Sequence, residues 1–209
     1  VVARPADEAW QWDGAAAHPV PIPAGFAAWT RLTRQPADLR GDGQPLWASL
    51  SPGGQLEVRD GSGVTALLVW HNEHPAWRVT RIDVGDPDDD GRIEVLLLLW
   101  RPDADGLLRA HPFLMGWRGG RFRVVWGGSA TPVPIQDLAT GDLDGDGRNE
   151  LVVLEGGSRP GDAADTLSIW QWHGWGFELA WRSPRAQRLG LVLQDVTGDG
   201  LPEALARRR

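Results

Sequence analysis

The stretch Gly141-Asp-Leu-Asp-Gly-Asp-Gly-Arg-Asn-Glu-Leu-Val-Val153 sets carboxylates at loop positions 1, 3, 5 and 9 and then runs straight into an apolar segment. It reads as an acidic loop feeding a β-strand. Two further stretches repeat it, Gly85-Asp-Pro-Asp-Asp-Asp-Gly-Arg-Ile-Glu-Val-Leu-Leu97 and Gln194-Asp-Val-Thr-Gly-Asp-Gly-Leu-Pro-Glu-Ala-Leu205. A decayed copy is Ala37-Asp-Leu-Arg-Gly-Asp-Gly-Gln-Pro-Leu-Trp47.

The first aspartates of the four copies are Asp38, Asp86, Asp142 and Asp195, spaced by 48, 56 and 53 residues. A near-constant period of that size is the mark of a propeller or an array of repeats. Tryptophans recur in phase with it. Trp10-Gln-Trp12-Asp-Gly14 matches Trp170-Gln-Trp172-His-Gly174, Met115-Gly-Trp117-Arg-Gly119 is a third version, and Val69-Trp70-His-Asn72 a looser fourth. Each is followed by a second aromatic segment: Phe26 to Trp29, Trp77, Phe122 to Trp126 and Phe177 to Trp181.

One unit is therefore expected to hold a strand entering the acidic loop, a strand leaving it, a Trp strand and an aromatic strand, as in Pro134–Thr140, Glu150–Glu155, Leu167–His173 and Phe177–Arg182. The chain opens with a Trp strand and an aromatic strand, Ala9–Asp13 and Phe26–Arg31. It closes with a loop-entering and a loop-leaving strand, Leu189–Val196 and Glu203–Arg207. Two orphan strands at each end make one whole blade, and a ring closed by pairing the termini has no open sheet edge there. The expectation is an all-β, four-bladed β-propeller over residues 1–209, a single domain closed by its N- and C-terminal strands.

Alternating oxygen ligands in a tight loop can wrap a hard cation. In the clearest copy Asp142, Asp144, Asp146 and Glu150 offer carboxylates, and Arg148 offers its backbone carbonyl. The second copy has the full set Asp86, Asp88, Asp90 and Glu94, with the carbonyl of Arg92. The third has Asp195, Thr197, Asp199 and Glu203, with the carbonyl of Leu201. It carries one charge fewer and is expected to bind more weakly. Loop position 6 is glycine in all four, Gly43, Gly91, Gly147 and Gly200, where the chain must turn sharply. The first loop, Asp38 to Leu46, has Arg40 at position 3 and Leu46 at position 9 and is expected to hold no ion. There a guanidinium between Asp38 and Asp42 could replace it. Three Ca2+ sites follow. A plain solvated turn explains any one such loop, but three in-phase copies with Glu at position 9 favour cation binding.

The run from Asp142 to Val153 resembles the FG-GAP/VCBS-type repeat of integrin-like propellers, and the likeness covers four segments spread over the chain. The resemblance implies a propeller with calcium in its blade loops, usually on exported proteins that include adhesins, lectins and some polysaccharide-degrading enzymes. The Phe-Gly half of that motif is missing here, and four blades are fewer than usual, so no integrin-like ligand site carries over.

Composition sets outer bounds. Of 209 residues, 23% are charged and 42% hydrophobic, a globular balance. Gly at 27 and Pro at 16 suit many turns between short strands. There is no Cys, so no disulfide framework, and all 21 basic residues are Arg. A net charge of −7 argues against nucleic acid as a partner. The longest apolar run, Val95 to Trp100, is too short to span a bilayer. The start, Val1-Val2-Ala3-Arg4-Pro5, fits a processed terminus or an arbitrary boundary equally well.

No other chemistry stands out. His71-Asn-Glu-His74 lacks the spacing of a helical zinc motif and reads as a hairpin turn; there is no Cys nucleophile, no nucleophile elbow and no phosphate-cradling loop. The chain is therefore expected to be no enzyme. The first expectation is a calcium-stabilised structural, adhesive or self-assembling protein, extracellular or on the cell surface, with the periplasm as an alternative. Three bound Ca2+ would bring the charge of −7 to about −1, which favours association with a protein partner or with itself. The alternatives are a carbohydrate-binding propeller with exposed Trp12, Trp172 and Trp175 as sugar platforms, and a polysaccharide-active enzyme with paired carboxylates outside the loops. The first of these competes with the favoured reading of the tryptophans, as rings that wedge between neighbouring blades and fill a widening radial gap.

Overall fold

The computed structural model describes residues 7–24, 26, 34–61, 66–72 and 77–209. It is all-β, a four-bladed β-propeller of four four-stranded antiparallel sheets. The first blade holds β3 (Arg34–Ala37), β4 (Leu46–Leu50), β5 (Leu56–Asp60) and β6 (Leu67–His71), while β1 (Glu8–Trp12) and β2 (Ala17–Val20) belong to the last blade. The second holds β7 (Arg78–Gly85), β8 (Glu94–Pro102), β9 (Leu108–Arg118) and β10 (Arg121–Gly127). The third holds β11 (Ile135–Gly141), β12 (Glu150–Glu155), β13 (Thr166–Trp172) and β14 (Phe177–Arg182). The fourth is ordered β15 (Arg188–Gln194), β16 (Glu203–Arg208), β1 (Glu8–Trp12), β2 (Ala17–Val20). Among the described residues no helix is long and apolar enough to cross a membrane.

The closing blade is made within one chain. Glu8, Ala9 and Trp10 of β1 pair with Ala206, Leu205 and Ala204 of β16. The chain groups into two compact units, one with the third and fourth blades and Pro87–Asp89, the other with the first and second blades. Each has its own core. In the first unit Trp10, Trp12, Leu143, Val152, Leu154, Leu167, Ile169 and Leu191 pack together. In the second Leu46, Leu56, Val58, Val95, Leu97, Leu99, Phe113 and Phe122 do so.

The strands that leave the acidic loops are the most deeply covered. Every position of β12, and every position of β8 from Glu94 to Trp100, is buried. Both faces of these strands are covered, which explains an unbroken apolar run in place of the alternation of a half-wet sheet. The outer strand β14 is mostly exposed, as befits an edge.

Two strand assignments differ from the sequence reading. The outer strand of the closing blade is β2, paired with β1 from Ala9↔Val20 to Trp12↔Ala17, rather than the aromatic segment at Phe26. Phe26 is not in a strand, and residues 27–31 lie outside the described residues. In the first blade Trp70 sits on the outer strand β6; the third strand is β5, which pairs with β4 and carries no tryptophan. Trp77 precedes β7 instead of lying in a fourth strand. The tight hairpin from Ser51 to Gln55 uses up the chain early and shifts the aromatic phase by one strand.

Candidate metal centre

Each acidic loop links the first two strands of a blade, and each is shaped by its own first aspartate. The position-6 glycine N–H donates to it in all four: Gly43 to Asp38 at 2.8 Å, Gly91 to Asp86 at 2.8 Å, Gly147 to Asp142 at 3.0 Å and Gly200 to Asp195 at 3.0 Å. These glycines have φ of +79°, +80°, +88° and +91°, a region that disfavours any side chain. The turn forms equally in the decayed loop, so this aspartate serves the backbone whether or not an ion is held. Position 4 is glycine in three loops, Gly41, Gly145 and Gly198, all with positive φ. In the second loop it is Asp89, with φ of +55°.

Two carboxylate groups converge. Asp142, Asp144 and Asp146 bring one ligand oxygen each within 4.8 Å of one another, and so do Asp86, Asp88, Asp90 and Glu94. Both groups could hold a metal ion. Glu150 is buried and lies outside the first group: its Oε2 accepts from the Leu143 N–H at 3.0 Å and its Oε1 from Gln171 at 3.4 Å. Burial raises its pKa, and the neighbouring Asp144 and Asp146 charges push the same way against the Leu143 and Gln171 hydrogen bonds. Glu203 is held likewise, by the Val196 N–H at 2.6 Å and the Thr197 hydroxyl at 3.0 Å. The loop of Asp195, Thr197, Asp199 and Leu201 keeps the same turn, and Gln11 donates to Asp199 at 2.8 Å.

Arginines complicate the electrostatics. Arg148 donates to Asp146 Oδ2 through Nε at 3.0 Å and Nη2 at 2.8 Å, and this pairing lowers the Asp146 pKa. Arg92 is exposed. Arg40 does not lie between Asp38 and Asp42: it donates to Asp60 at 2.9 Å and stacks over Trp117 at 5.2 Å. No such bridge forms with Arg40 in the first loop; a guanidinium does bridge two carboxylates in the second loop, and it comes from a residue the sequence did not single out. Arg118, at the end of β9, donates through Nη2 to Asp90 at 2.6 Å and to Glu94 at 2.6 Å. Burial works against its charge, but the Glu94 hydrogen bond and the charges of Glu94 and Asp90 outweigh that, so it stays protonated.

The tryptophans divide. Trp10, Trp12 and Trp100 are core residues, and Trp10 packs on Trp181 at 5.1 Å. Trp172 is half-buried against Phe177, and Trp175 is 85% exposed. Next to the Asp142 loop a cleft of about 190 Å³ is lined by Arg148, Asn149, Glu150, Gln171, Trp172 and His173. Neither the family models scanned nor the curated proteins searched match this sequence.

Proposed function

We propose that the chain is a calcium-stabilised binding propeller of the FG-GAP/VCBS type, exported, non-catalytic, and engaged in adhesion or self-assembly. The observation that carries this reading is the convergence of Asp142, Asp144 and Asp146 in a loop whose counterparts recur around the blades. Hard oxygen donors at alternating positions suit Ca2+; Glu150 at position 9 stands behind them and would join the set by giving up its hydrogen bond from Gln171. The Asp195 loop, with Thr197 in place of a carboxylate, is the weakest of the three. A propeller with short loops presents surface for a partner protein or a second copy, and charge neutralisation by bound Ca2+ would favour that contact. Calcium titration of the full chain by calorimetry tests the first part, and light scattering with and without calcium tests the second. A chain that takes up no calcium would sink the reading.

One observation favours a second reading, a carbohydrate-binding propeller. Trp175 is exposed two residues past His173, which lines the cleft beside the Asp142 loop. Trp172 lines that cleft with His173, Gln171 and Asn149, and an aromatic ring beside such groups is the chemistry that stacks and hydrogen-bonds a sugar ring. Trp12 takes no part in such a platform, because it is buried. A glycan array read against Trp175→Ala decides between the two.

A further inference from the structure

The four acidic loops are alike in backbone but not in what the third strand of each blade presents to them. In the third blade Gln171 of β13 donates to Glu150 at 3.4 Å, and in the fourth Gln11 of β1 donates to Asp199 at 2.8 Å. The matching position in the second blade is Gly116 of β9, since Trp117 pairs with Phe122 as Trp172 pairs with Phe177. A Cβ at Gly116 would come within 2.8 Å of both Arg118 Nη1 and Val125 Cγ2 and 3.2 Å of Glu94 Cγ. The missing side chain is what leaves room for the guanidinium. Its Nη2 then reaches both Asp90 and Glu94 at 2.6 Å, with Glu94 fully buried and the Arg118 side chain 12% exposed. A neutral amide in two blades is thus exchanged for a cation in the second.

We propose that Arg118 is a tethered competitor for the cation of the second loop: a divalent ion enters the Asp86–Glu94 cluster only when the guanidinium leaves. The inference rests on the reading of the acidic loops as cation sites and adds an order to them. The Asp142 loop, whose Arg148 is exposed and pairs with a single carboxylate, fills first. The Asp86 loop fills later, at a higher cation concentration. A tethered competitor scales apparent affinity by the fraction of time it leaves the site vacant, so an arginine seated about nine-tenths of the time weakens it about tenfold.

Calorimetric titration with CaCl2 of the full chain carrying Asp144→Ala and Asp199→Ala, which disable the Asp142 and Asp195 loops, isolates the effect. Adding Arg118→Gln is expected to tighten the remaining transition at least about tenfold, and adding Asp88→Ala to abolish the gain. Arg118→Lys, which keeps the charge but cannot span Asp90 and Glu94 as the guanidinium does, is expected to tighten it as well. Gly116→Gln paired with Val125→Ala, which makes room for the new side chain, crowds the guanidinium out of its seat; these cover the case in which Arg118→Gln fails to fold. Unchanged or weaker affinity in the folded variants overturns the proposal. If Asp144→Ala in the otherwise unaltered chain loses no ion, the reading of the loops themselves falls. If it loses one and none of the Arg118 and Gly116 variants tightens the rest, the competitor role falls alone.

Discussion

Arg188, almost fully buried, forms an ion pair with Glu8, a residue 180 positions away near the other end of the chain. The guanidinium also donates to the carbonyls of Asp165 at 3.0 Å and Ala186 at 3.1 Å, and Arg208 reaches the second Glu8 oxygen at 2.8 Å. This polar clamp sits where β1 and β16 pair, so the closing blade is tied by charge as well as by its ladder. Glu8→Ala leaves Arg188 buried without its counter-charge and is expected to cost about 3–5 kcal/mol, read by urea unfolding. Deleting residues 1–13 removes β1 altogether and bares the edge of β16; the expected outcome is aggregation or global destabilisation, read by light scattering. A truncated chain that stays monomeric with an unchanged midpoint would contradict it.

Calcium removal should lower the melting temperature. An ion at about one hundred times its dissociation constant stabilises the folded chain by about 2.7 kcal/mol. For a chain of this size that corresponds to a shift of about 5–10 °C per site. Asp144→Ala is expected to lose one ion on metal counting, whereas Asp42→Ala in the decayed loop loses none.

Asp89 occupies a left-handed backbone conformation that glycine fills in the three sister loops. Asp89→Gly relieves that conformation at some cost in unfolded-state entropy, and a net gain of up to about 1 kcal/mol is expected in thermal unfolding. A clear loss would mean that the Asp89 side chain contributes more than its backbone costs.

Arg109 holds the Asp105 carboxyl down at about 2, chiefly through its hydrogen bond, with the Leu107 N–H adding to the effect. Because the folded value lies below the unfolded one of 3.8, the associated stabilisation is present above that value and fades as pH falls toward about 2. Arg109→Gln should move the Asp105 titration back toward 3.8, as followed by carboxyl NMR shifts.

The two classes of tryptophan should separate on truncation. Trp12→Ala empties a core position and is expected to cost about 3–5 kcal/mol. Trp175→Ala should change stability by less than about 0.5 kcal/mol. If sugar binding is the function, Trp175→Ala abolishes it without moving the melting curve.

The acidic loops and the strands beside them were legible because the same spacing of Asp, Gly and Glu repeats, and repetition separates a signal from an ordinary turn. The terminal pairing was legible from strand bookkeeping alone. The first blade was misread because Leu56-Glu-Val-Arg-Asp60 carries a strand pattern without the tryptophan that flags its counterparts. β2 was missed because it is four residues long and contains Pro19, which an edge strand tolerates but a pattern search discounts. Arg118 was invisible as a partner of Glu94 because the two are 24 positions apart on different strands. The available hint was Gly116 standing where Gln11 and Gln171 stand in the sister motifs.

The pairing of Glu8 with Arg208, 200 positions along, also sets a schedule for biosynthesis. A ribosome adding about 5–20 residues per second leaves β1 waiting about 10–40 s for its partner strand to be made. Through that interval the Trp10 and Trp12 faces have the β1–β2 hairpin but no completed blade to close against, so the earliest of the described strands is the last to be secured. Chaperone dependence should therefore concentrate on the β1–β2 hairpin, and slowing translation just before β16 should harm yield more than slowing it just after β2.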